Sequence, residues 1–257
     1  MKNLKELTKR RDDILVEIKD LKKRHDISCN IYNMDCSELI SRMIKNEIIV
    51  DSIITDPPYN VSRKNQLGYS NMGRSGMNYG VWDYDFDQIK WLKNISKVIK
   101  PGGTIIIFNN WKNMGDIAKE LEKQGFIVKD LIRWVKSNPM PRNVDRRYVN
   151  DYELAIWAVM DGSQWTFNKP KENSYIRPEF RTGVASGGKN RIHPTQKNLK
   201  LIENILQIHT NEGDVVFDPF LGSGTTAVAV LNCKRKIIGS EIDEKYFNKT
   251  LERIKND

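Results

Sequence analysis

Cysteine and histidine are scarce, with three of each in 257 residues. Cys29, Cys36 and Cys233 are scattered, odd in number and without C-x-x-C spacing. That excludes a disulfide framework and a structural zinc site, and it fits reduced thiols in a cytoplasmic chain. Three separated histidines make no metal-ligand set, so no metal is expected. Long apolar runs are also lacking, and none approaches the ~20 residues that a membrane-spanning helix requires. The opening residues, Met1 to Glu6, have no apolar core of the kind that marks a secretion signal. There is no internal repeat and no low-complexity tract. Hydrophobic residues make up 39% and charged residues 29%, the composition of a soluble globular protein with room for one α/β domain or two small ones.

Basic residues are in excess, giving a net charge of +9, and the excess is uneven. Between Arg133 and Lys197 there are twelve basic and six acidic residues, so +6 of the total sits in about a quarter of the chain. A local basic surplus suits a polyanionic partner. A merely solvated basic surface would read the same way.

Residues 1–27 read as an amphipathic helical extension. Leu4, Leu7, Ile14, Ile18 and Leu21 fall on heptad positions, with Arg11 interrupting one of them. Such a helix either forms a homodimer contact or lies across its own domain. From residue 28 to 257 strands and helices alternate. Strands are expected at 48–55, 102–108, 126–135, 152–159, 214–217 and 236–239. Helices are expected at 89–99, 114–124, 199–209, 225–232 and 244–254. That alternation predicts a doubly wound, mostly parallel α/β sheet with helices on both faces. Two stretches break it, 61–87 and 161–191. Both are long and follow strands, beyond whose carboxyl ends ligands of such sheets bind.

Two motifs carry chemistry. Phe217-Asp-Pro-Phe-Leu-Gly-Ser-Gly-Thr-Thr226 reads as a strand end, a glycine turn and a helix start, in which Thr225 or Thr226 can cap the helix. No lysine follows Gly224, so it is not a P-loop, and the spacing is not G-x-G-x-x-G. Glu241 ends the next strand, where an acid commonly binds a ribose diol. This pair points to a nucleoside-containing cofactor. The second motif, Asp56-Pro-Pro-Tyr-Asn60, follows an apolar strand. Two prolines cannot continue a ladder and lock a rigid turn. Asp56 and the Pro57 carbonyl supply acceptors and Tyr59 a flat face, which suits a planar heterocycle with an exocyclic amino group.

Together these motifs resemble the amino-methylating DNA methyltransferases that use S-adenosylmethionine, a family marked by D-P-P-Y and F-x-G-x-G. The catalytic motif (Asp56 to Tyr59) precedes the cofactor motif (Phe220 to Gly224), with a basic insert between, which is the circularly permuted order of the beta class. His193-Pro-Thr-Gln-Lys197, Asn33-Met-Asp-Cys36, Trp134-Val-Lys-Ser-Asn-Pro-Met-Pro-Arg142 and Arg146-Arg147-Tyr148 are similar to the small adenine-modifying members found in restriction–modification systems. The resemblance spans roughly residues 28–255 and departs at Asn198, where many relatives have proline. It implies a Rossmann-like methyltransferase sheet of seven strands. By the same resemblance Phe220, Gly222, Ser223, Gly224, Thr225 and Thr226 would cradle the cofactor, with Glu241 on its ribose. Asp35, beside Cys36, would bond the cofactor's adenine. His193, Thr195 and Lys197 would hold its methionine end, and Asp56, Pro57, Pro58 and Tyr59 would receive the target base.

The implied reaction is methyl transfer to adenine N6 in double-stranded DNA, on a base flipped out of the duplex. The resemblance also implies a possible cognate restriction endonuclease as partner. Arg63, Lys64 and Arg74 in the first long loop, Arg142, Arg146 and Arg147, and Arg177, Arg181, Lys189 and Arg191 are the expected DNA contacts. Most such contacts go to phosphate. The 161–191 stretch is the expected target-recognition insert. Cytosine-N4 methylation is the alternative within the same chemistry; a non-catalytic DNA-binding protein of the same fold is the alternative outside it.

Overall fold

The computed structural model describes residues 29–60, 86–139, 141, 144–146, 148–184 and 196–256. The 1–27 extension and nearly all of the 61–87 loop therefore lie outside the described residues. Those described form eight strands and five α-helices. They are β1 (Cys29–Tyr32), α1 (Cys36–Lys45), β2 (Val50–Thr55), β3 (Ile99–Asn109), α2 (Met114–Lys123), β4 (Phe126–Lys136) and β5 (Tyr152–Met160). There follow β6 (Glu179–Thr182), α3 (Leu199–His209), β7 (Val215–Asp218), α4 (Thr225–Asn232), β8 (Lys236–Ser240) and α5 (Glu244–Asn256).

All eight strands join one sheet in the order β1-β8-β7-β2-β3-β5-β4-β6. Neighbours are parallel except the two pairs that β5 makes, with β3 and β4. The mostly parallel sheet expected from the alternation is thus present, with one strand more than the seven expected. β6 lies within the 161–191 insert, where only loop was expected. Its four residues, Glu-Phe-Arg-Thr, carry no apolar run, and pairing with the edge of β4 is what makes them a strand.

The core lies on both faces of the sheet, because successive strand residues point to opposite sides. Ile53, Ile105, Ile107, Phe217 and Ile238 face one way and pack with Leu39 and Met43 of α1 and Ile117 and Leu121 of α2. Ile54, Ile106, Phe108, Val216 and Ile237 face the other way and meet Leu201, Ile205 and Leu206 of α3 and Ala227, Ala229 and Val230 of α4. Central strands buried on both sides read as continuous apolar runs, as β2 does at Ile53 and Ile54 and β3 at Ile105, Ile106 and Ile107.

The single helix expected at 89–99 is instead two short 3-10 turns, Lys90–Leu92 and Ile95–Val98. Asn94 between them takes a left-handed conformation, φ 67°, which ends the first and reorients the chain. Trp91, Leu92, Ile95 and Val98 still reach the core, so the apolar spacing marks the right residues and the wrong kind of helix. No helix among the described residues is long and apolar enough to cross a membrane.

Ile54 is fully buried on the α3 side, whereas Ile49, just before the strand, is 49% exposed. Ile54→Ala is expected to lower unfolding free energy by about 2–5 kcal/mol. Ile49→Ala should change it by about 0.5 kcal/mol or less. Urea denaturation followed by tryptophan fluorescence compares the two.

Candidate active site

The two motifs leave the sheet side by side. β2 and β7 are parallel neighbours, in register at Ser52↔Val216 and Ile53↔Phe217, and both end at the same edge. One buried contact ties their ends: Thr55 Oγ1 donates to Asp218 Oδ1 at 2.7 Å. The same oxygen accepts from the Phe220 amide at 3.0 Å, which starts the glycine turn. Burial raises the Asp218 carboxyl to about 6, against the bonds from Thr55, Phe220 and Thr226 that favour its charged form.

The glycine turn is held on all sides by backbone and short side chains. Leu221 N donates to Ser240 O at 2.9 Å and Ser240 Oγ to Pro219 O at 2.9 Å. Thr250 of α5 donates to Gly222 O at 3.0 Å, and Arg253 donates to Ser223 O at 3.0 Å. Gly224 is the N-cap of α4 at φ 73°, and a Cβ there would stand 2.7 Å from the Thr250 methyl. Neither Thr225 nor Thr226 caps the helix as expected; both are buried, with the Thr225 hydroxyl receiving Arg253 at 3.1 Å. At Gly239, on β8, a Cβ would meet the Leu221 side chain at 2.8 Å, so only glycine lets the turn lie this close to the sheet. Phe220 is half-buried and set edge-on against Phe86 and Trp91, with centroids 5.4 and 5.1 Å away.

Glu241 follows β8 and spans the turn: Oε2 accepts from Gly222 N at 2.8 Å and Oε1 from Asp243 N at 2.8 Å. Burial raises its carboxyl. Asn33 Nδ2 donates to the Glu241 carbonyl at 2.8 Å, which joins the segment after β1 to the end of β8. Asp35, in that segment, is the exposed N-cap of α1 and accepts from Ser37 N at 2.8 Å. Cys36 does not face this edge; its thiol lies in the core, 6% exposed, and burial pushes it up to about 12.

The Asp56–Asn60 turn is clamped by amide side chains. Gln88 Nε2 donates to Pro58 O at 2.7 Å, Asn109 Nδ2 to Gln88 Oε1 at 2.7 Å, and Asn113 Nδ2 to Asn109 Oδ1 at 2.7 Å and Tyr59 O at 3.3 Å. Asn60 exchanges two bonds with the Phe86 backbone, at 2.7 and 2.9 Å. Among the described residues none donates to the Pro57 carbonyl. The Tyr59 hydroxyl donates to Asp56 Oδ1, and Lys197 Nζ lies 2.8 Å from Asp56 Oδ2. Both oxygens of Asp56 thus have partners. Burial raises the Asp56 carboxyl and Lys197 opposes that rise.

Lys197 faces the Asp56 turn. Its ammonium is 7% exposed and bonds Asp56, Glu153 Oε2 at 2.8 Å and the Tyr59 hydroxyl at 2.9 Å. The next residue, Asn198, caps α3 by accepting from Leu201 N at 3.1 Å, a role that proline could not fill. His193, Thr195, Arg63, Lys64, Arg74, Arg142, Arg147, Lys189 and Arg191 lie outside the described residues. Of the remaining expected DNA contacts, Arg146, Arg177 and Arg181 are exposed. Arg181 pairs with Glu179 on β6 at 2.8 Å. Sequence reasoning missed Glu153, Gln88, Asn109 and Asn113. The one visible signal was an acid inside the apolar run Tyr152-Glu-Leu-Ala-Ile-Trp-Ala-Val159.

A mostly parallel sheet with an acid-headed proline turn and a glycine turn beyond the ends of adjoining strands has the form in which open α/β sheets bind nucleotide cofactors. A family model described as DNA methylase, for N6 and N4 methyltransferases, matches residues 50–252. The chain belongs to this DNA methylase family. It is 30% identical over 246 residues to Type II methyltransferase M2.DpnII of Streptococcus pneumoniae, covering 87% of this chain and 88% of that one. It is also 30% identical over 227 residues to Type II methyltransferase M2.LlaDCHI of Lactococcus lactis subsp. cremoris, covering 80% and 82%. The crystal structure of an M1.HpyAVI–SAM complex matches with TM-score 0.74 and 41% identity, over 88% of this chain and 98% of that one. The cytosine-N4-specific PvuII DNA methyltransferase, 17% identical with TM-score 0.65 over 89% of this chain and 90% of that one, shares the fold.

The buried Asp218 carboxyl gives stability a pH dependence of defined sign. Its folded pKa, about 6, lies above the ordinary 3.8, so its contribution is fully present below pH 3.8 and lost as pH rises through about 6. Asp218→Asn should flatten the fall in thermal midpoint between about pH 4 and 7. An unchanged slope in scanning calorimetry would show that other groups set it.

Proposed function

We propose that this DNA methylase transfers the methyl group of S-adenosylmethionine to the exocyclic N6 of an adenine flipped out of double-stranded DNA. The observation that carries this reading is the bond between Thr55 and Asp218, which brings the Asp56 turn and the glycine turn to one place. The residues fit such a cofactor. The glycine turn leaves open space at Gly222, and Glu241 and Asp35 offer carboxylates at the ends of β8 and β1 for ribose hydroxyls and a purine amine. When bound, the cofactor supplies an activated methyl group on a sulfonium.

The chain's own residues have three tasks. The first is to make a poor nucleophile better, because the lone pair of an aromatic amine is delocalised into its ring. Asp56 and the Pro57 carbonyl, accepting its two hydrogens, favour a more pyramidal and electron-rich nitrogen. The carbonyls of Pro58 and Tyr59 are already held by Gln88 and Asn113, which fixes the path of the turn. The second task is to hold the flipped base, whose extrusion costs a few kcal/mol. Stacking on the Tyr59 ring offsets about 1–3 kcal/mol of that. To do so Tyr59 gives up its hydroxyl bond to Asp56, freeing the oxygen that the amine then uses. The third task is alignment of nitrogen, methyl and sulfur, since positioning and electrostatics supply most of the acceleration and no covalent enzyme intermediate is needed.

Asp56 rather than serine at the head of the tetrapeptide supports adenine; cytosine N4 is the alternative. The Type II relatives support a place in a cytoplasmic restriction–modification system, with an endonuclease reading the same site as partner. The circularly permuted arrangement, a homodimer through the 1–27 helix and target recognition by the 161–191 insert belong to the same proposal.

Incubation with labelled S-adenosylmethionine and unmethylated genomic DNA, followed by digestion, should yield N6-methyladenine. N4-methylcytosine would move the reading to the alternative, and cofactor binding without labelled DNA would leave a non-catalytic protein. Asp56→Ala should lower transfer by at least about a hundredfold while cofactor affinity holds. Equal loss of both would show that Asp56 serves the cofactor and not the base.

A further inference from the structure

One half-buried carboxylate of the site belongs to neither motif. Glu153 lies near the start of β5, the reversed strand, opposite Trp134 of β4. Its Oε1 is 2.8 Å from Lys136 Nζ and its Oε2 is 2.8 Å from Lys197 Nζ. Lys197 in turn lies 2.8 Å from Asp56 Oδ2. Four side chains thus alternate in sign, Lys136, Glu153, Lys197 and Asp56. The rings of Tyr59, Phe108 and Trp134 stand 5.1, 5.1 and 5.9 Å from the Lys197 ammonium. An ammonium so enclosed is held by its two carboxylates and the Tyr59 hydroxyl, so removing one carboxylate leaves the other as its charged partner.

We propose that Glu153 is a positioning residue for methyl transfer: it divides the Lys197 ammonium with Asp56, so that Asp56 stays charged yet remains a strong acceptor for the target amine. This rests on the reading of Asp56 as that acceptor. A desolvated Asp56 with no cation nearby takes up a proton and cannot accept both amine and proton at that oxygen. An Asp56 that holds the ammonium alone is charged, but its acceptor strength is spent on the lysine. Sharing gives the condition between the two. Glu153 itself is a fixed charge and no proton carrier. Burial pushes its carboxyl up, but Lys197 and Lys136 outweigh burial and hold it down at about 2.

The charged and titratable groups facing Asp56 are Tyr59 from its own turn, Lys197 from the segment before α3, Glu153 from β5 and Asp218 from β7. Lys136 on β4 stands one step further out. Glu153, Lys136 and Asp218 can be changed without removing a hydrogen bond or ion pair of Asp56 recorded above, and of these Asp218 also holds the glycine turn, which leaves Glu153 and Lys136 as the variants.

The test is the pH profile of kcat for methyl transfer to DNA in the wild type, Glu153→Gln and Lys136→Met. In Glu153→Gln the acid limb, where Asp56 takes up a proton, should move down by about one pH unit. Its plateau kcat should fall about tenfold, with KM for S-adenosylmethionine unchanged. Lys136→Met frees Glu153 to draw Lys197 away from Asp56, so its limb should move up by about half a unit. Opposite displacements are the signature. Limbs that stay in place in both variants, as for a carboxylate that only fills space, overturn the proposal. Should Glu153→Gln lose its fold by circular dichroism, Lys136→Met decides alone, and a limb that stays or moves down overturns the proposal. A wild type that leaves no label on adenine sinks the reading of Asp56 instead, before any variant is compared.

Discussion

The site depends on a single hydroxyl–carboxyl contact between neighbouring strands. Thr55 is the last residue of β2 and Asp218 the last of β7, and their 2.7 Å bond lies where the turns of both motifs begin. A buried carboxyl without partners is costly. Asp218 is satisfied by the Thr55 hydroxyl and by the first amide of the glycine turn. The bond therefore does two things. It sets the separation of the turns, and it makes each turn a condition for the other, because loss of either leaves a polar group stranded in the core.

Outward from this contact the site divides by chemistry. On the β8 and β1 side the partners are backbone amides, hydroxyls, the half-buried Glu241 and the exposed Asp35, the donors and acceptors suited to a nucleoside. On the β3, β4 and β5 side they are full charges in alternation, walled by aromatic rings. Buried ion pairs of this kind give little net stability once desolvation is counted. What they give here is geometry, since each charge has one place where its neighbours satisfy it.

Much of this was legible in the sequence, and the rest was hidden for reasons of reach. Helices α3 and α4 occupy the segments that apolar spacing marked, 199–209 and 225–232, because their patterns are local and unbroken. Asn94 split the helix expected at 89–99 through one backbone conformation that no periodicity reports. β6 escaped because its four residues become a strand only by pairing with β4. The turn of Asp56 and Tyr59 and the turn of Phe220, to which Glu241 is bonded, leave neighbouring strands. Lys197 was recognised as a site residue, but its contacts with Asp56, Glu153 and Tyr59 were not visible, since the bond to Tyr59 joins residues 138 apart in the chain. Glu153 belongs to no signature, and only the reversal of β5 carries it to the site.

Asn60 and Phe86 are joined by two hydrogen bonds, so the chain departs from the proline turn and returns to it at one point. Residues 61–85 thus form an excursion whose two ends are held together. Closing such an excursion costs free energy that grows only logarithmically with its length, about 0.6 kcal/mol for each doubling. A change in the number of residues between these two anchors thus carries a small thermodynamic cost and leaves the anchored turn in place.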